Sequence, residues 1–115
     1  MEYLFIINDS PYGSQRAYNG LRLAVALSPE KPMGVFLLGD GVTCGLAGFT
    51  PKDADYSLPE MLRTIAAFNN NPIVACGTCM EARGLSQEAL IPEVRRGTLD
   101  QLVKWTLEAT KVLSF

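Results

Sequence analysis

The stretch PIVACGTCMEARGL, residues 72–85, joins a short apolar run to two cysteines that are three positions apart. The run PIVAC (72–76) is typical of a strand that is buried on both faces of a sheet. Two similar runs lie earlier in the chain, YLFIIN (3–8) and MGVFLLG (33–39), and KVLSF (111–115) is a candidate last strand. Strands buried on both faces indicate a parallel sheet that is covered by helices.

Helical patterns separate these strands. Ser14 is a candidate cap for a helix that follows the first strand. Ser57 with Glu60, and Thr98 with Gln101, have the spacing of capping boxes, so a helix is predicted to begin at each pair. The alternation of strands and helices predicts an α/β protein with a mainly parallel sheet and helices on both sides.

Length, charge and cysteine usage limit the class of protein. The chain has 115 residues and a net charge of -2, which indicates one domain over residues 1–115. Nucleic acid is not an expected partner, because the only adjacent basic residues are Arg95 and Arg96. Neither a signal peptide nor a membrane span is expected, and three cysteines without an export signal favour the cytoplasm.

The chain contains no histidine, which excludes several catalytic mechanisms within it. A Ser-His-Asp triad and a Cys-His pair both need an imidazole. A nucleophile in this chain must therefore be activated by backbone N–H groups, by cations or by burial.

The Cys76–Cys79 pair has three functional interpretations. A structural zinc site needs four ligands, and the pair with Cys44 supplies three at most, so no metal is expected. A dithiol redox couple has the right spacing, although the motif comes later in the chain than in thioredoxins. A single nucleophile at Cys76 is the favoured interpretation, and core packing is the alternative for each cysteine. Cys44 is interpreted as a bystander.

Three loops, after Asn8, Gly39 and Ala75, are predicted to meet at the carboxyl edge of the sheet, where α/β proteins form their sites. The residues in them that are predicted to line a pocket or stabilise a thiolate are Tyr12, Asp40, Gly77, Thr78 and Arg83. Ordinary turn or capping roles are the alternatives for Asp9, Pro11 and Asp40, and an ion pair is the alternative for Arg83. A flavin phosphate loop would need several hydroxyl residues in sequence, and the first loop offers only the serines Ser10 and Ser14, so flavin is not expected. No other cofactor is expected either.

Two features outside these loops also have two interpretations each. Arg95 and Arg96 are interpreted as a solvated pair, with docking of an acidic partner as the alternative. Trp105 is interpreted either as a contact between subunits or as a side chain that is partly buried in its own subunit.

Four segments together resemble the DsrE/DsrF-like family of sulfur-relay proteins, most closely its YchN-type members. They are YLFIINDSPYGSQRAYNGLRLAVAL, FLLGDGVTCGLAG, CGTCMEARGL and GTLDQLVKWTLEATKVLSF, in that order. The resemblance spans nearly the whole chain. It implies a flavodoxin-like, three-layer sandwich with about five strands that assembles into a homo-oligomer, a trimer or a hexamer.

The resemblance also implies a role for the cysteines. In sulfur-relay members, a cysteine at the end of the third strand accepts a persulfide and passes it on, and Cys76 occupies that position here. Cys79 matches a second cysteine of the YchN type, which as a resolving thiol could convert a persulfide into a disulfide. The implied function is that of a sulfur carrier or sulfurtransferase, with sulfur-donor and sulfur-acceptor thiols or proteins as partners. The alternatives are a non-catalytic oligomeric binding module and a dithiol oxidoreductase that uses Cys76 and Cys79.

Overall fold

The computed structural model describes residues 1–49 and 51–115, and within them the chain forms five strands and four α-helices. The strands are β1 (Tyr3–Ile7), β2 (Met33–Leu37), β3 (Ile73–Cys76), β4 (Val94–Gly97) and β5 (Lys111–Ser114). The helices are α1 (Arg16–Leu27), α2 (Leu58–Phe68), α3 (Gly77–Ala82) and α4 (Leu99–Glu108). Short 3-10 helices cover Gly39–Gly45, Ala54–Tyr56 and Gln87–Ala89.

The five strands form one sheet in the order β4-β3-β2-β1-β5, and every pairing in it is parallel. All residues of the two inner strands β2 and β3 are buried, as the apolar runs predicted. The predicted α/β architecture is therefore confirmed. The chain advances strand by strand from β1 to β4 and then returns to place β5 beside β1. This strand order differs from that of flavodoxin, although both folds are parallel sheets between helices.

The helices cover opposite faces of the sheet. Phe36 of β2 contacts Trp105 of α4 edge to face, with ring centroids 6.4 Å apart. On the other face, Phe5 stacks on Phe115, whose ring lies against Gly20 of α1. Phe5 pairs with Val35, so these two side chains point to the same face of the sheet. The next residue, Phe36, points to the opposite face, and α1 and α4 therefore lie on opposite sides. Trp105 is buried in its own subunit, so the second of its two interpretations is the one observed.

Both predicted capping boxes mark the starts of helices. The Ser57 hydroxyl accepts the Glu60 N–H at 3.4 Å, and the Thr98 hydroxyl accepts the Gln101 N–H at 3.3 Å. These contacts satisfy N–H groups that the first turn of a helix leaves without a partner. The helix after Ser14 begins at Arg16, with Gln15 rather than Ser14 at the N-cap position.

The strand β4 is missing from the elements that the sequence patterns predict. Its sequence VRRG contains Arg95 and Arg96, which are interpreted from the sequence as surface charges rather than as part of a strand. Both side chains are exposed, but their backbone pairs with β3 as the border strand of the sheet. The Gln87 side chain covers the outer side of this strand: it donates to the Val94 carbonyl and accepts from the Arg96 N–H, both at 2.8 Å.

The loops after β1, β2 and β3 meet at the carboxyl edge of the sheet, as predicted. The Gly41 N–H donates to the Asn8 carbonyl at 3.1 Å, which ties the second loop to the first. A Cβ atom on Gly41 would lie 1.9 Å from the Ile7 carbonyl oxygen, so this approach requires glycine. In residues 1–49 and 51–115, no helix has the length and apolar character needed to cross a lipid bilayer.

Candidate functional site

Cys76 and Cys79 lie where β3 passes into α3. Cys76 is the last residue of β3 and the N-cap of α3, and its Sγ accepts the Cys79 N–H at 3.5 Å. Both cysteines are free thiols. Cys76 is 6% exposed, whereas Cys79 is partly exposed. The two thiols are therefore neighbours that differ in access, and Cys79 is the more accessible of them.

The loop after β2 supplies a hydrogen-bond donor to Cys79. The Gly39 N–H donates to the Cys79 Sγ at 3.2 Å. Gly39 has a φ of 57°, a left-handed conformation that glycine adopts without steric cost. The backbone turn after β2 thus aims an amide at the partly exposed thiol.

An ion pair joins the same loop to α3. The Arg83 guanidinium donates twice to one Asp40 carboxylate oxygen, from Nη2 at 2.6 Å and from Nε at 3.1 Å. Its Nη1 donates to the Cys79 carbonyl at 3.0 Å. Asp40 and Arg83 were both predicted near the site, and the structure brings them together beside Cys79. Of the two roles considered for Arg83, the pairing with a carboxylate is observed, and the guanidinium is also close enough to act on the thiol.

Several neighbours act on the pKa of Cys79, with a net upward shift. Partial burial raises this pKa most, and the hydrogen bond and charge of Cys76 raise it further. The Gly39 N–H and the Arg83 charge oppose the shift. The net shift disfavours the thiolate form of Cys79 relative to that of an ordinary cysteine.

Gly77 allows β4 to approach the cysteine segment closely. A Cβ atom there would lie 2.8 Å from the Arg96 Nε and 3.0 Å from the Gly97 carbonyl oxygen. Arg96 crosses at this point and forms an ion pair with Glu81 of α3. The absence of a side chain at Gly77 thus permits this close approach, and it places Arg96 against the cysteine segment. The adjacent Thr78 is exposed.

Cys44 differs from the other two cysteines in its burial and in its hydrogen-bond partner. It is 1% exposed, and its thiol donates to the Asp9 carbonyl at 3.4 Å. Burial and the Asp9 carboxylate raise the pKa of Cys44 to about 12. A thiol that holds its proton so firmly, without contact with solvent, is a poor nucleophile.

Tyr12 lines a different cavity, at the tip of the loop after β1. Its hydroxyl donates to the Tyr56 carbonyl at 3.1 Å, and its ring meets Phe49 edge to face. This open cavity has a volume of about 440 Å³ and is lined by Tyr12, Gly48, Phe49, Pro51 and Tyr56. Tyr12 was predicted to stand at the cysteine site, and the contacts of its ring and hydroxyl are with this aromatic group instead.

Two residues of the site were not identified from the sequence. From the sequence, Gly39 is interpreted only as the end of a strand. Its N–H reaches Cys79 because of its backbone conformation, which cannot be read from the side chains of the sequence. Arg96 was placed among solvated charges because β4 was not recognised. The parallel register, in which Ala75 pairs with Arg96 and Cys76 with Gly97, is what brings Arg96 to the site.

Comparisons with known proteins connect this geometry to a family. The model of the DsrE/DsrF-like family matches residues 1–115. Protein YchN of Escherichia coli K12 is 42% identical over 115 residues, which cover 97% of each chain. The crystal structure of that protein superposes with a TM-score of 0.90 at 41% identity and covers 100% of this chain and 99% of the other.

Two more distant relatives are a TusC homolog and a protein named as a sulfurtransferase. A TusC homolog of Vibrio parahaemolyticus is 29% identical over 100% of this chain and 98% of its own length. A protein named sulfurtransferase TusD homolog, from Vibrio vulnificus, is 28% identical over 77% of this chain and 70% of its own length. On the full-length match to the family model and the identity with YchN, the chain belongs to the DsrE/DsrF-like family.

Proposed function

We propose that this protein is a sulfur carrier that accepts a persulfide at Cys76 and passes it to an acceptor thiol. The observation that carries the proposal is the position of Cys76 at the carboxyl end of β3, with its sulfur facing the Cys79 N–H and a second thiol beside it. Membership of a family that includes a sulfurtransferase TusD homolog supports the same role.

The proposed chemistry consists of two thiol exchanges. The Cys76 thiolate attacks the outer sulfur of a donor persulfide, so that Cys76 becomes a persulfide and the donor leaves as a thiolate. An acceptor thiolate then attacks that outer sulfur, takes it as a new persulfide and restores the Cys76 thiolate. Neither step needs an imidazole base, because the nucleophile in each is already a thiolate.

The surroundings of the pair favour Cys76 over Cys79 as the carrier. Burial and the neighbouring Cys76 both raise the pKa of Cys79, which disfavours a thiolate at that residue. Each sulfur accepts a backbone N–H, Cys76 from Cys79 and Cys79 from Gly39, so the choice between them rests on the raised pKa of Cys79 and on the position of Cys76 at the N-cap of α3. Because Cys76 is only 6% exposed, we expect it to accept sulfur from donors whose terminal sulfur is not crowded by neighbouring groups.

A matched pair of variants tests this assignment. Cys79→Ser keeps the proposed carrier, and Cys76→Ser removes it while leaving its neighbour. After incubation with glutathione persulfide, intact-mass spectrometry is expected to show one added sulfur on Cys79→Ser and none on Cys76→Ser. Treatment of the loaded variant with cyanide is expected to remove the added sulfur as thiocyanate. Equal loading of the two variants would show that Cys76 is not the carrier.

We also propose that copies of this chain associate through the outer face of α4. Three large apolar side chains recur there at helical spacing, Leu99, Val103 and Leu107, and they are 63%, 51% and 82% exposed. Together with Leu102 and Thr106 they line an open depression of about 270 Å³. Apolar surface of this kind is typical of a protein interface, which supports the homo-oligomer that the sequence resemblance implies.

A further inference from the structure

The site contains one thiol more than a sulfur carrier needs. In the exchange proposed above, Cys76 alone receives and releases sulfur, and Cys79 has no part. Yet Cys79 directly neighbours Cys76: its N–H donates to the Cys76 Sγ, and the charge and hydrogen bond of Cys76 act on its thiol. Two cysteines in this relation, three residues apart at a strand-to-helix junction, have the spacing of dithiols that close into a disulfide.

Two donors near Cys79 oppose part of the upward shift in its pKa and so assist its attack on Cys76. The Gly39 N–H meets its Sγ at 3.2 Å, and Arg83 holds its carbonyl at 3.0 Å. An amide and a guanidinium both stabilise negative charge on sulfur, so they lower the free energy of the Cys79 thiolate at the moment of attack. The Asp40–Arg83 ion pair fixes the position of the guanidinium.

We propose that Cys79 resolves the Cys76 persulfide and releases its outer sulfur as hydrosulfide, an activity that rests on the proposed carrier role of Cys76. The Cys79 thiolate attacks the inner sulfur of Cys76–S–SH. The bond between the two Cys residues forms as the S–SH bond breaks, and HS⁻ leaves with the electron pair. The outer sulfur is thereby reduced to hydrosulfide and the Cys79 sulfur is oxidised, while the Cys76 sulfur exchanges one S–S bond for another in the Cys76–Cys79 disulfide.

A dithiol reductant completes the cycle. Its first thiolate attacks the disulfide at Cys79, because Cys79 is the more exposed of the two sulfurs, and Cys76 leaves as a thiolate. The second thiol of the reductant then attacks the mixed disulfide, which frees Cys79 and leaves the reductant as its own disulfide. The substrates of the full reaction are thus a persulfide and a dithiol, and its products are hydrosulfide, a thiol and a disulfide.

The two cysteines lie on one tryptic peptide, which makes the reaction directly measurable. Cleavage after Arg63 and Arg83 gives a peptide of residues 64–83 that carries both Cys76 and Cys79, whereas Cys44 lies on another. The reduced protein is freed of reductant, mixed with glutathione persulfide, and assayed for hydrosulfide before alkylation and digestion. Wild type, Cys79→Ser, Cys76→Ser and the variant lacking both thiols are compared, and the last gives the background from donor breakdown.

In wild type, we expect one hydrosulfide above background for each chain that reacts, and a peptide 64–83 that has lost two hydrogens. In Cys79→Ser we expect no hydrosulfide above background and a persulfide that stays on Cys76. Cys44→Ser is the matched control and is expected to behave as wild type. The disulfide in wild type is measured without any substitution, so the test does not depend on how well the variants fold.

Each contrary result has a distinct meaning. If wild type and Cys79→Ser both retain the persulfide and release no hydrosulfide, Cys79 does not resolve it, and the carrier role of Cys76 stands alone. If neither gains sulfur and wild type remains a dithiol, the carrier role itself is wrong, and the resolving step falls with it. A persulfide on Cys79 in the Cys76→Ser variant would overturn the order of the two residues.

Discussion

At the scale of single residues, the three cysteines differ in their environments, and these differences set their reactivity. Cys44 is buried with a pKa raised to about 12, and Cys79 is partly exposed with a pKa raised by burial and by Cys76. Cys76 is close to Cys79 but nearly enclosed. The composition of the chain contains none of this information, because each difference comes from contacts between distant segments.

Alkylation of the native protein is therefore expected to discriminate between two of these thiols. With iodoacetamide, Cys79 should react measurably and Cys44 should stay unmodified across the range from pH 7 to pH 9. Because the pKa of Cys79 is raised, its thiolate fraction and its alkylation rate should still be rising with pH above the range of an ordinary thiol. Mass spectrometry of tryptic peptides after timed quenching measures both rates. Modification of Cys44 as fast as Cys79 would contradict the burial described here.

Arg83 is expected to affect the thiol beside it through charge. Its positive charge opposes the upward shift in the pKa of Cys79, so Arg83→Ala should raise that pKa further and reduce the thiolate fraction. At pH 8 we expect alkylation of Cys79 to slow about threefold, because a smaller fraction of the thiol is ionised. Arg83→Lys, which keeps the charge, should recover most of the rate. Arg63→Ala, on α2, is the control, and a slowing equal to that of Arg83→Ala would exclude a local effect of charge.

At the scale of elements, the 3-10 helix Gly39–Gly45 connects the strands to the site. Gly39 donates to Cys79, Asp40 pairs with Arg83, and Gly41 lies against the end of β1. The position of the cysteine environment thus depends on how closely this short helix approaches β1. A change that displaces the helix should act on stability and on thiol reactivity together.

Gly41→Ala is the substitution that tests this dependence. The added Cβ would lie 1.9 Å from the Ile7 carbonyl oxygen, which is backbone and cannot rotate away. We expect the free energy of unfolding to fall by about 3 kcal/mol, at the upper end of what overpacking costs. Gly48→Ala is the control, since a Cβ there meets nothing within 4 Å. Urea denaturation followed by the fluorescence of Trp105, the only tryptophan, measures both. Equal stability of the two variants would show that the approach to β1 is not tight.

The elements also show which parts of the fold the sequence patterns could predict. The strands β1, β2 and β3 are recognisable because burial on both faces demands continuous apolar residues. The strand β4 has one buried residue, Val94, followed by two arginines, so it lacks both an apolar run and a clear alternation. A border strand with one partner can carry charges, and local sequence alone does not reveal its pairing.

The candidate site divides in the same way. The position of Cys76 at the end of β3, and the meeting of Asp40 with the cysteine segment, could be predicted because parallel strands bring their carboxyl ends to one edge. The difference in exposure between Cys76 and Cys79 could not be predicted, because it depends on packing around α3. The position of Arg96 at the site could not be predicted either, because it follows from the register between β3 and β4.

At the scale of the whole molecule, the two faces of the sheet are covered unequally. The helices α1 and α2 pack against each other on one face, and α4 covers the other while keeping apolar residues on its outer side. Burial of that outer side between subunits would remove apolar surface from water, which favours association.

Val103→Glu is expected to weaken this association. Val103 lies in the middle of the apolar outer face, so a carboxylate there would be buried without a partner in any contact that α4 makes. The molar mass measured by light scattering during size exclusion should fall toward that of one chain. Lys104→Gln is the matched control, because it changes the net charge by the same amount at the adjacent exposed position. An unchanged mass for Val103→Glu would place the contact elsewhere.

The Gln87 side chain affects whether a strand of another molecule can add to the border of the sheet. By occupying backbone groups on the free side of β4, it protects one border of the sheet and leaves β5 as the other border strand. Two molecules that joined there would consume both open borders, and no third could extend the ribbon. Replacing Gln87 would remove these two hydrogen bonds from the Val94 carbonyl and the Arg96 N–H and make β4 a second border at which a strand can add.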